Sequence, residues 1–113
     1  MFGKKSLSLG RVYDTVKITE GGETLVLHVN NDPSRIVIGL NEAQKRLQSI
    51  DENTTEEERA EIARFFSSVI FGDEQTKKLF DFYYGDPMCV ISIASKYFSE
   101  RLAKKITKAQ KRK

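Results

Sequence analysis

Between Thr55 and Ile106 apolar residues recur every three or four positions, and glycine followed by aspartate interrupts the pattern twice. Ile62, Phe65, Phe66, Val69 and Ile70 fall at i, i+3, i+4, i+7 and i+8, one face of a helix. Gly72-Asp73 and Gly85-Asp86-Pro87 divide the stretch into three segments. Glycine suits the residue that ends a helix, aspartate caps the next, and proline fits a first turn. Phe65, Phe66, Phe71, Phe80, Phe82, Tyr83, Tyr84, Tyr97 and Phe98 all lie here. The pattern predicts a small helical bundle with an aromatic core.

The first helix of this block opens on Thr55-Glu56-Glu57-Glu58, a capping box whose acidic turn suits the positive end of the helix dipole. It should end near Phe71. Asp73 is expected to cap a short helix ending at Gly85. Asp86-Pro87 opens the last helix, with Val90, Ile91, Ile93, Ala94, Tyr97, Phe98, Leu102 and Ile106 as a wide apolar stripe. Residues 109–113 form a basic tail expected to fray.

Upstream, Arg11 to Asn30 reads as a β-hairpin. Val12, Asp14, Val16 and Ile18 share one side of the first strand, and Leu25, Leu27 and Val29 share one side of the second. Gly21-Gly22 is the turn. A lone hairpin is marginal in water, so its apolar side must rest on the helical block. Residues 1–10 read as a flexible arm, with Leu7 and Leu9 candidates to join the first strand. Gly3-Lys4-Lys5-Ser6 lacks the earlier glycine and preceding strand of a phosphate loop. After Asn31-Asp32-Pro33-Ser34, Ile36, Leu40, Ala43, Leu47 and Ile50 repeat at steps of four and three, which favours a helix. Gly39 and the β-branched run Ile36-Val37-Ile38 leave a third strand as the alternative.

The expectation is one α+β domain over residues 11–108, with a hairpin at 11–30 and helices over 33–108. The chain has 113 residues and a net charge of +3, unevenly spread. Acids gather between Asp51 and Glu61, and bases at Arg101, Lys104, Lys105, Lys108, Lys111, Arg112 and Lys113. One cysteine, Cys89, excludes an intrachain disulfide and fits a reducing cytoplasm. No apolar run has the length of a signal peptide core or a membrane span.

No residue pattern marks a catalyst or a cofactor site. His28, the single histidine, has no metal-ligand spacing to Cys89. A Cys-His pair has no further support, although a helix dipole at Pro87 would lower the Cys89 pKa; a semi-buried structural thiol is the preferred reading. The acidic run lacks the ligand alternation of a calcium loop. The basic end suits nucleic-acid phosphates, an acidic partner, or a solvated helix end. The aromatics fall at core-facing helical spacing, unlike the exposed platform of an RNA-stacking sheet. Phe82-Tyr83-Tyr84 is too aromatic for one helix face, so at least one ring should be exposed or lie in an interface.

Three stretches carry a resemblance: Phe71-Gly72-Asp73-Glu74-Gln75, Asp81 to Pro87, and Phe98 to Lys108. With the order of β-rich start, acidic capped helix and helical end, they resemble tail assembly chaperones of long-tailed phages and prophages of Gram-positive bacteria. The resemblance covers the second half of the chain. It implies a non-catalytic, cofactor-free protein of the host cytoplasm that binds the tape measure protein or another tail protein. A helix-in-groove mode is the expectation, with Phe82, Tyr83, Tyr84 and Tyr97 as groove residues and Lys104, Lys105 and Lys108 for orientation. A homo-oligomer is compatible with it. The alternatives are a nucleic-acid-binding module using the basic helix and a structural tail or connector protein.

Overall fold

The computed structural model describes residues 10–111. The expected arm, with Leu7 and Leu9, and the last two tail residues lie outside them. Two antiparallel strands, β1 (Val12–Glu20) and β2 (Glu23–Asn31), pair from Val12↔Asn31 to Glu20↔Glu23 about the Gly21-Gly22 turn. The helices are α1 (Pro33–Gln48), α2 (Glu56–Phe71), α3 (Asp73–Phe82) and α4 (Pro87–Tyr97). A π-helical turn (Phe98–Leu102) joins α4 to α5 (Ala103–Lys111). The fold is α+β, with an N-terminal hairpin on a mainly helical body.

The 33–48 segment is helical, so the sheet has two strands among the described residues. Asp32 accepts from the Ser34 amide at 2.7 Å and Pro33 sits in the first turn. Local capping and the Ile36/Ala43 stripe outweigh the β-branched triplet, because both residues are buried while Ile38 is exposed. Gly39 marks a close approach of helices: a Cβ there would meet Val69 of α2 at 2.7 Å.

The α2–α3 junction departs from expectation. Gly72, with φ 86° and ψ 166°, ends α2 and starts α3, and Asp73 makes no side-chain cap. Only glycine adopts that backbone readily, and it joins the helices without a linker in which Asp73 could cap. At the far end of α3 the expected Gly85 has a positive φ of 79°, and Tyr84 before it has one too, at 55°. The Gly85 amide donates to Phe80 O at 2.8 Å and the Tyr84 amide to Asp81 O at 3.2 Å, a Schellman closure with tyrosine at the position glycine usually holds.

The core runs continuously from hairpin to last helix: Val12, Val16, Leu27 and Val29 meet Ile36, Phe66, Ile70, Leu79, Val90, Ala94 and Leu102. Ser67 and Thr76, both buried, share a hydroxyl–hydroxyl hydrogen bond of 2.8 Å between α2 and α3. β2 lies on α2 and α3, and β1 on α5. The final helix does not stop at Lys108; it continues to Lys111 and buries Ala109, because its stripe is still apolar there.

Candidate functional site

Asp14 is the one acid in the apolar row Val12, Asp14, Val16, Ile18, and it faces the last helix. Its carboxylate accepts from Tyr97 Oη at 2.9 Å and pairs with Arg101; Lys105 Nζ lies at 3.8 Å. Arg101 also donates to Thr15 O at 3.2 Å. Three residues four apart reach one carboxylate because a π turn separates the first from the last. The buried series Val90, Ala94, Tyr97 continues as Leu102, Ile106, Ala109, with a five-residue step that a regular α-helix would rotate off the face. The π turn absorbs that step. Burial, then Asp14, pushes the Tyr97 phenol far above its usual range, so it remains a hydrogen-bond donor.

Above this lock, between β1 and the last helix, lies an open groove of about 310 Å³. Val16, Lys17, Ile18, Thr19 and Glu20 form one wall; Tyr83, Ile93, Lys96, Tyr97, Glu100 and Arg101 form the other. Tyr83 is 8% exposed, and its buried hydroxyl lies near Glu20 without a well-formed hydrogen bond among the described residues. Burial, then the charge of Glu20, raises its pKa.

The predicted aromatics divide. Tyr83 and Tyr97 line this groove. Phe82 is half-buried and packs edge-on against Tyr83, with centroids 5.1 Å apart. Tyr97 also stacks on Phe71 at 5.5 Å. Tyr84 stands apart, 93% exposed, at φ 55°. The lysines lie elsewhere. Lys105 and Lys108, with Arg11 and the exposed ring of Tyr13, line a cleft of about 190 Å³ between hairpin base and α5. Lys104 faces solvent beside Lys108 on the other flank of α5. Arg101, Ile93 and the β1 edge, which line the groove, and Asp14, which lies beneath it, are features that sequence reading missed. The cue was an acid inside an apolar strand row; its partners are more than 80 residues away.

Cys89 sits at the start of α4, half-buried, with Sγ 3.4 Å from Asp86 Oδ2. Burial, then the hydrogen bond and charge of the Asp86 carboxylate, raises its pKa, opposite to the lowering that a helix dipole alone would give. His28 is exposed on β2, and its amide donates to Gln75 Oε1 of α3 at 2.9 Å. Among the described residues no cluster of three or more His, Cys, Asp or Glu could hold a metal, and no helix is long and apolar enough to cross a membrane. No family model, curated protein or solved structure matches this chain.

Proposed function

We propose that this chain is a non-catalytic tail assembly chaperone of a long-tailed phage or prophage, which holds a segment of the tape measure protein during tail morphogenesis. The observation that carries the reading is the groove beside β1, lined by half-buried Ile93 and the largely buried rings of Tyr83 and Tyr97 beside Lys96 and Arg101. Aromatic surface rimmed by charge is the composition of a protein-binding patch. The resemblance in the second half of the chain names the partner.

The test is co-expression of the tagged chain with its neighbouring genes, followed by purification at low and high salt. Recovery of the tape measure protein, identified by mass spectrometry and retained at high salt, is the expected result. Its loss in Ile93→Lys, with the variant still folded by circular dichroism, would assign the contact to the groove. Absence of the tape measure protein from the purified complex sinks the reading. The chain should also be missing from purified virions, as an assembly factor leaves the finished particle.

A second reading has its own observation. Arg11, Lys105 and Lys108 surround the exposed Tyr13 ring, a basic cleft with a stacking surface suited to nucleic acid. Deleting the basic end is a poor test, since Ile106 and Ala109 are buried. Lys108→Gln removes charge from the cleft at an exposed side chain instead. Nucleic acid retained only at low salt, and lost in this variant, would favour that reading.

A further inference from the structure

Five consecutive residues of β1 line the groove, although successive side chains point to opposite faces of a sheet. The groove therefore follows the edge of the strand. The outward groups of that edge follow from the pairing. The His28 amide points away from β1 to Gln75, so Thr15↔His28 is a non-hydrogen-bonded pair. Arg101 accordingly reaches Thr15 O from outside. By the two-residue period, Lys17 and Thr19 also direct their N–H and C=O groups outward, and Thr19 and Thr24 hydroxyls meet at 3.0 Å as such a pair allows. Thr15 is capped on both groups, its amide by Asp14 at 2.8 Å. Lys17 and Thr19 have no backbone partners on that side among the described residues.

We propose that the groove takes an extended segment of a partner protein as a third strand on the free half of β1. This rests on the groove being the partner site. The backbone argues for a strand over a helix: a helix pairs its own N–H and C=O groups and would leave those of Lys17 and Thr19 unmatched. The free run from Val16 to Glu20 spans about 17 Å, room for roughly five residues. Charge defines the occupant further. On the β1 wall Glu20 lies next to the turn and Lys17 further along; on the helix wall, toward the base, Lys96 and the Asp14-paired Arg101 outnumber Glu100. The segment that fits has apolar side chains at alternate positions against Ile93 and Tyr97, a basic residue at the Glu20 end and an acidic one at the Lys96 end.

The full chain, labelled with nitrogen-15, would be titrated with two blocked heptapeptides, Lys-Thr-Val-Thr-Val-Thr-Asp and its reverse. The expected result is saturable binding of one of them, with amide shifts and slowed hydrogen exchange at Lys17 and Thr19. N-methylation of the peptide amides that face β1 should weaken binding about tenfold or more, as those hydrogen bonds are lost. The Glu20→Lys/Lys96→Glu variant should prefer the peptide with its end charges exchanged. No binding at millimolar peptide, or equal binding of the N-methylated form, would overturn the proposal. So would protection of the Lys17 and Thr19 amides in the free chain. Loss of that protection on deleting residues 1–9 would assign the edge to the chain's own N-terminal segment, and loss on dilution would assign it to a second copy. Recovery of the tape measure protein without peptide binding removes the strand mode alone; peptide binding without that partner removes the chaperone reading alone.

Discussion

Tyr84 holds the left-handed position of a Schellman closure, φ 55°, with its ring 93% exposed. A residue with a Cβ is strained by roughly 1 kcal/mol or more in that backbone, and an exposed ring recovers little of it by burial. Tyr84→Gly should therefore raise stability by about 1 kcal/mol, read from the urea midpoint at unchanged slope. If Tyr84 contacts the partner, the same variant binds it more weakly, a stability–function opposition typical of functional strain. An unchanged or lower midpoint would show that the ring packs usefully. The sequence marked this tripeptide as too aromatic for one face. It did not separate Tyr83, buried, from Tyr84, exposed, because that depends on where the helix stops within one residue.

The Thr55 cap is the clearest element-scale feature, with both arms of the box formed: Glu58 N to Thr55 Oγ1 at 3.1 Å, and Thr55 N to Glu58 Oε1 at 2.8 Å. Thr55→Ala should cost about 1 kcal/mol in chemical denaturation. The Thr55 backbone amide, then its side chain, holds the Glu58 pKa below its ordinary value. A depressed folded-state pKa means the unfolded chain binds the proton more readily. The contribution of Glu58 is thus present above about pH 4.3 and lost as pH falls through the depressed value. Thr55→Ala should flatten stability against pH in that acid window; an unaltered profile would mean the box adds nothing in solution. This helix start was fully legible, because a cap is a contact within four residues. The start of α3 was not, since Gly72 adopts its conformation to seat α3 against α2, where Ser67 and Thr76 meet.

At the scale of the whole molecule, the hairpin is held to the last helix through Asp14. Removing the carboxylate strands the buried Tyr97 hydroxyl, while the half-exposed Arg101 and Lys105 remain free to turn to water. Asp14→Ala should then cost about 1–3 kcal/mol. Tyr97→Phe should cost only about 1 kcal/mol, as Asp14 keeps Arg101. Hydrogen exchange should report the loss first in β1, since a two-stranded sheet has little stability away from its support. Equal exchange in wild type and Asp14→Ala would show that apolar packing alone holds the hairpin.

Local rules determined where the elements begin, and the reason is range: the Gly21-Gly22 turn, the Asp32, Thr55 and Asp86 caps, and the helical apolar stripes all act over a few residues. They were enough for α+β, a hairpin followed by helices, and most of the core. Tertiary structure alone decided which helix faces the strand edge, that Tyr83 and Tyr97 share a groove while Tyr84 and the lysines do not, and that Asp14 meets Arg101 across 87 positions. It also decided the π turn, which exists to keep one apolar stripe in line past Tyr97. Those outcomes depend on how separately specified elements pack, and no short stretch of this chain carries that information.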